Sequence, residues 1–244
     1  MSDQAPASPN DPAGRRLEAV RARIRRAAER AGRAPETIEL VAVSKTFPAE
    51  RILAMAGAGQ RQFGENRIQE AREKVPAVNA AWSGDRLVWH WIGHLQRNKV
   101  KAAVGLFDGF ESVDSVRLLG ALSSEAEARE RVLPVLLQFN CSGEATKGGF
   151  DPEAVGTVAA EAAAMTGVRI DGLMTIARPG PDPEIARPAF VRLREIRDRL
   201  QERWGRALPV LSMGMSRDLE VAVDEGATRV RVGTALFGER TPRT

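Results

Sequence analysis

Lys45 closes the run Leu40-Val41-Ala42-Val43-Ser44, so an ammonium group ends a segment otherwise built for burial. Lysine is the rarer base in this chain: of 36 basic residues, 5 are Lys (Lys45, Lys74, Lys99, Lys101, Lys147) and 31 are Arg. An apolar wall disfavours the charged amine, and the neutral amine condenses with an aldehyde, which a guanidinium does not do near neutral pH. A lysine that simply snorkels out to water is the plainer reading, and position alone does not separate the two. Two further stretches, "LSMGMSRDLE" and "VRVGTALFG", each combine a small or hydroxyl residue with the opening of a helix. The Ser216 hydroxyl and the Gly233 and Thr234 amides would together form a cup for a dianion, although taken singly they are an N-cap and a turn glycine. Alternation in "TRVRVGT" sends Val230 and Val232 to one face and Arg229 and Arg231 to the other. In a strand covered on both faces Arg231 is at least partly buried and needs an acceptor. That acceptor is either a carboxylate (Glu65, Glu111 or Asp114) or an aromatic nitrogen of a bound ring.

These residues have to be positioned by regular elements, and eight short β-branched runs supply them: Ile38 to Lys45, Gln62 to Asn66, Val88 to Leu95, Gly109 to Asp114, Leu133 to Asn140, Ile170 to Ile176, Val210 to Ser216 and Arg229 to Thr234. Helical patterns follow each run but the last, at about 48–58, 67–80, 97–104, 115–130, 152–165, 183–204 and 217–225, and the last run meets the C-terminus. Strict βα alternation predicts a parallel sheet, and eight units without a dividing linker predict a closed (β/α)8 TIM barrel in a single domain. An open doubly wound sheet would want a glycine-rich first turn, and no G-x-G-x-x-G follows any of the runs. A further helix from Gly14 to Arg33 precedes the first strand, and residues 1–13 read as a disordered tail. In such a barrel the chemistry lies where strands end and loops begin. Lys45, Glu65, Asn66, His94, Gln96, Asp114, Ser115, Asn140, Thr175, Ser216, Gly233 and Thr234 would then collect at one mouth.

Composition narrows the class further. The chain of 244 residues is 43% hydrophobic and 28% charged, with a net charge of +4, and reads as soluble, without a transmembrane run or a secretion signal. Its basic residues are interleaved with acids, and the densest run, "GRRLEAVRARIRRAAERAGR", places Leu17, Val20, Ile24, Ala27 and Ala28 at helical spacing. A solvated helix face accounts for it better than nucleic-acid binding does. The lone Cys141 fits a reducing, cytoplasmic setting, and we read it as a quiet thiol, the alternative being a redox-sensitive one at the mouth. His90 and His94 are four apart in one run and would point to the same side, but two histidines lack the further ligands that zinc requires, so no metal site is expected.

A lysine for an aldehyde, a cup for a phosphate and an arginine for a ring nitrogen are together what pyridoxal 5′-phosphate requires. The stretches "VAVSKTFP", "FGENRIQE", "WHWIGHLQRNK", "SVDS", "SGEATKGGF", "GLMTI", "LSMGMSRDLEVAVDEGAT" and "VRVGTALFGER" also occur in order across about residues 15 to 240. In this the chain resembles the YggS/PROSC family of pyridoxal phosphate homeostasis proteins. The resemblance implies a barrel of the alanine-racemase type, with the cofactor joined to Lys45 as an internal aldimine and its phosphate held around Ser216, Gly233 and Thr234. It also implies that Arg231 faces the pyridine nitrogen, that Met213 or Asn66 lies close to the ring, and that Lys147 stands near the pocket mouth. A solvated loop lysine is the alternative for Lys147.

Arginine beside the pyridine nitrogen keeps that nitrogen unprotonated and weakens the ring as an electron sink. A racemase of this type also needs an acid on the opposite face of the substrate, a tyrosine in alanine racemases, and the chain contains no tyrosine. Only about ten residues follow the last strand, too few for a second domain, which removes the usual reason for an obligate dimer. The expectation is therefore a monomeric carrier that buffers the cofactor or delivers it to pyridoxal phosphate-dependent apo-enzymes, without robust catalysis of its own. The competing readings are an amino-acid racemase or lyase using His94, Asp114 or Cys141 as its acid, and aldolase chemistry on a sugar phosphate through Lys45.

Overall fold

The computed structural model describes residues 11–144 and 147–239. Eight parallel strands close on themselves in sequence order, each pairing with the next and the first with the eighth. They are β1 (Glu39–Val43), β2 (Gln62–Glu65), β3 (Val88–Trp91), β4 (Gly109–Val113), β5 (Leu133–Gln138), β6 (Val168–Met174), β7 (Val210–Ser212) and β8 (Arg229–Val232). Every expected strand is present, but each stops one to four residues earlier than its apolar run does. The runs continue because residues just past the ladder, such as Ser44, Thr175 and Met213, are still buried. Hydrophobicity reports burial, whereas the strand itself ends where parallel pairing ends.

The helices are α1 (Pro12–Arg30), α2 (Ala49–Gly57), α3 (Ile68–Ala81), α4 (Val100–Val104), α5 (Val116–Glu127), α6 (Val155–Ala162), α7 (Arg187–Trp204), α8 (Leu219–Asp224) and α9 (Thr234–Phe237). α1 buries Leu17, Val20, Ile24, Ala27 and Ala28, the stripe read from its spacing, and packs against α8 and α9. It opens at Pro12, inside the segment assigned to the tail, because proline is preset for a first helical turn; residues 1–10 of that segment lie outside the described residues. α7 begins at Arg187 rather than at Pro183: a 3-10 turn, Pro183–Ala186, comes first, capped by Asp182 Oδ1 accepting from the Glu184 amide, and Pro188 restarts the helix. α9 corrects the expectation that the last strand runs straight into the C-terminus. No helix among the described residues is long and apolar enough to cross a membrane.

The barrel wall is apolar, with Phe63, Trp89, Phe107, Phe110 and Phe139 all under 2% exposed. A buried polar file nevertheless runs through its interior. β6 carries a bulge, since Val135 pairs with Ile170 while the next residue, Leu136, pairs with Gly172. At Gly172 a Cβ would come within 1.9 Å of the Val210 carbonyl oxygen, so only glycine lets β6 and β7 approach at this step.

Candidate functional site

Lys45 sits two residues past β1, at the second position of a tight turn closed by the Phe47 amide donating to the Ser44 carbonyl (3.1 Å). The third position, Thr46, has φ +70°, a conformation that such turns normally give to glycine or asparagine. The turn is tied to the other end of the sheet. The Phe47 ring stacks on Phe237 of α9, with centroids 4.9 Å apart, and Arg51 donates to the Phe237 carbonyl (2.7 Å).

Across the mouth, Ser216 lies in the turn between β7 and α8. Its carbonyl accepts from Arg23 of α1 (2.9 Å), which also forms a two-pronged pair with Glu220 (2.7 and 2.8 Å), so the extra N-terminal helix fixes this corner. Ser216 Oγ accepts from the Ala235 amide in the first turn of α9 (3.4 Å), joining the two halves of the expected cup. The path into Ser216 depends on Gly214. Its φ is +90°, and a Cβ there would lie 2.5 Å from that of Ala222.

Arg231 is 5% exposed and leaves the barrel wall from β8. Its two terminal nitrogens donate to Ser212 Oγ (2.6 Å) and to the Thr175 carbonyl (2.9 Å). Ser212 Oγ donates in turn to Glu111 Oε2 (2.6 Å), and Glu111 Oε1 accepts from Arg229 (3.1 Å). Thus neither Glu65 nor Asp114 holds Arg231, and Glu111 reaches it only through Ser212; the carboxylate's direct ion pair is with Arg229. Burial raises the Glu111 carboxyl, but Arg229, His90, Arg231 and the Ser212 hydroxyl outweigh it and leave the group below its ordinary range. Burial likewise pushes the Arg231 guanidinium down, with Glu111 and Asp218 opposing. The guanidinium has no acceptor capacity, so it presents only donors to whatever it faces.

Lys45, Ser216, Arg231, Gly233 and Thr234 all line one cavity of about 450 Å³, of the size that takes a small cofactor. Phe47, Arg178, Met215, Arg217 and Asp218 also line it, and sequence reading did not single them out. For Arg178 the signal was available in "ARPGPDP", the proline-rich loop after β6, because loops at this end of a barrel carry function. Two residues implied by resemblance are not among those that line this cavity. Met213 is fully buried in the hydrophobic core, and the left-handed turn at Gly214 breaks the alternation so that Met215, not Met213, faces the cavity. Asn66 lies just past β2 and packs against Gly93; its Oδ1 is buried with no hydrogen-bond partner among the described residues.

Lys147 is half-buried, pairs with Glu144 and donates to the Ala177 carbonyl (3.0 Å), next to the cavity-lining Arg178. His90 and His94 do not share a face, because β3 ends at Trp91. His90 is buried beside Gln62 and Glu111, and burial pushes its pKa down, whereas His94 is exposed and pairs with Asp114 (2.8 Å). Cys141 is a buried free thiol whose pKa burial pushes up to about 11, which fits the quiet reading. Among the described residues no group of three or more His, Cys, Asp or Glu side chains is placed to hold a metal ion.

The alanine racemase N-terminal domain family model matches residues 16–241. The chain is 44% identical over 225 residues, 92% of its length, to the pyridoxal phosphate homeostasis protein of Aquifex aeolicus, of which it covers 97%. Among solved structures it is similar to PipY of Synechococcus elongatus with pyridoxal phosphate bound, at 36% identity and a TM-score of 0.80, covering 93% of this chain and all of that one. Alanine racemase of Clostridium difficile, at 14% identity and a TM-score of 0.70 over 93% of this chain and 58% of that one, shares the fold.

Proposed function

This chain belongs to the alanine racemase N-terminal domain family, and on that footing we propose that it binds pyridoxal 5′-phosphate through Lys45 and buffers or delivers it. One observation carries the reading: an amine at Lys45, a buried guanidinium at Arg231 and the Ser216, Gly233 and Thr234 corner line the same cavity. The fit extends to charge and shape. Arg178 and Arg217 add positive charge around a small-molecule-sized space, and Phe47 adds an aromatic face.

When bound, the cofactor supplies an aldehyde and an electron-withdrawing pyridine ring. Lys45 would hold the aldehyde carbon. Ser216, with the first-turn amides of α9, would hold the phosphate, the arrangement that barrels use at the ends of their seventh and eighth strands. Arg231, its plane fixed by Ser212 and Thr175, would donate to the ring nitrogen and keep protons off that atom. A ring held this way stabilises a substrate carbanion poorly, which favours storage over turnover.

The side chains weighed as catalytic acids lend the racemase reading little. His94 is exposed and bound to Asp114, and the Cys141 thiol is raised to about 11. The two carboxylates of the cavity wall are engaged with backbone amides: Asp218 accepts from the Met215 amide within the turn before α8 (2.5 Å), and Asp182 caps the Pro183–Ala186 turn by accepting from the Glu184 amide (2.9 Å). The proposal includes a cytoplasmic, monomeric carrier that hands the cofactor to dependent apo-enzymes, in keeping with the free thiol of Cys141. Purified protein loaded with pyridoxal phosphate is expected to turn over every member of an L- and D-amino-acid panel more slowly than ~1 per second, the low end of ordinary enzyme rates. Faster racemisation or elimination of any one of them would replace the carrier with an enzyme.

A further inference from the structure

Lys74 takes no part in the chemistry proposed above, yet its ammonium lies directly under the turn that carries Lys45. The side chain is 9% exposed. Its Nζ donates to the Ser44 carbonyl (3.0 Å) and to the Phe47 carbonyl (3.1 Å), and lies 2.7 Å from Glu65 Oε1. Three N–H bonds therefore meet three acceptors, two of them backbone oxygens that bracket Lys45 and Thr46. Ser44 is held a second time, its Oγ donating to the same Glu65 oxygen (2.7 Å).

The other side of the turn is held from the same helix. Glu70 Oε2 accepts from the Thr46 amide (3.0 Å), while Glu70 Oε1 accepts from Arg67 (3.0 Å). Lys74 and Glu70 are one turn apart in α3, with Nζ 3.9 Å from Glu70 Oε2, so one helix face grips the segment through both a cation and an anion. The segment requires such a grip, because Thr46 is β-branched and sits at φ +70°, where a free turn would relax.

Resting on the reading of Lys45 given above, we propose that Lys74, together with Glu70, is a positioning residue that locks the Ser44–Phe47 turn and sets the Lys45 amine for the cofactor before the cofactor arrives. The competing role is plain stability, a buried pair between Lys74 and Glu65 that any fold could carry. The two roles separate in Lys74→Met combined with Glu65→Gln, which removes both charges and leaves neither buried alone. The double variant is expected to fold, with cofactor trapped on Lys45 by borohydride falling about fivefold or more at a concentration that half-saturates the wild type. Adding Thr46→Gly should restore part of the loss at an unchanged folded fraction, read by circular dichroism under the trapping conditions, since glycine holds φ +70° without help; in a stability role trapping would instead follow the folded fraction.

Glu70→Ala, at a partly exposed position, is the second variant and should lower trapping about twofold or more, again with partial rescue by Thr46→Gly. It decides the matter if the double variant does not fold. Wild-type trapping in both variants, or losses that Thr46→Gly leaves unchanged, would overturn the proposal. Failure to trap anything on wild-type Lys45 would instead bring down the functional reading on which it rests.

Discussion

Lys45 and Cys141 both lie just past the end of a strand, and their surroundings give them opposite characters. Lys45 lies in a turn held from below by Lys74 and Glu70 and opens on the cavity. Cys141 is closed over by apolar neighbours, and its thiol is raised from 9.0 to about 11, with Thr175 only partly compensating. The raised folded-state value means that burial of the neutral thiol supports the fold fully below about pH 9, where the unfolded thiol is also protonated. That support is lost as pH rises through about 11. Two units amount to about 2–3 kcal/mol. Urea unfolding of wild type and Cys141→Ala at pH 8 and at pH 11 should therefore show the stability gap between them narrowing by about 2 kcal/mol at the higher pH. The chain has no tyrosine to titrate across the same window. A gap independent of pH would mean that the thiol is not buried as described. Residue types carried much of the site: an amine, a guanidinium and a hydroxyl with two amides were legible as chemistry. Lys74 was not, because its role lies in two backbone carbonyls brought to it by the fold.

At the scale of elements, all eight strands were legible from their apolar runs and their ends were not. β7 shows why. The run Val210 to Ser216 reads as one strand, but pairing stops at Ser212 and the chain turns left-handed at Gly214. That one residue moves Met215 to the cavity and leaves Met213 in the core, an outcome that alternation cannot foresee. Gly214→Ala would place a Cβ 2.5 Å from that of Ala222 in a backbone conformation that alanine avoids, and we expect a loss of about 2–4 kcal/mol, read as a lower urea midpoint. An unchanged midpoint would show that the β7–α8 turn is looser than its geometry. α1, legible as an amphipathic helix, proved to have a second duty, since Arg23 reaches across to the Ser216 carbonyl. Such a contact spans 193 positions of sequence and leaves no local signal.

For the whole molecule, βα alternation was enough to predict the closed barrel, and closure brings residues 45, 216, 231, 233 and 234 to one mouth. The barrel also explains why a chain so rich in arginine can bury charge. Arg229, Glu111, Ser212 and Arg231 form one bonded file inside it, each group satisfied by the next, as buried polar groups must be. That file fixes Arg231 from behind while the cavity lies in front of it. The role of this barrel turns on where an aldehyde cofactor would attach. The direct measurement is borohydride reduction of the protein after incubation with pyridoxal 5′-phosphate, followed by peptide mapping, with Lys45→Ala and Lys147→Ala alongside. A single reduced adduct on Lys45 is expected, persisting in Lys147→Ala and disappearing in Lys45→Ala; an adduct on another lysine, or none in the wild type, would overturn the assignment of Lys45.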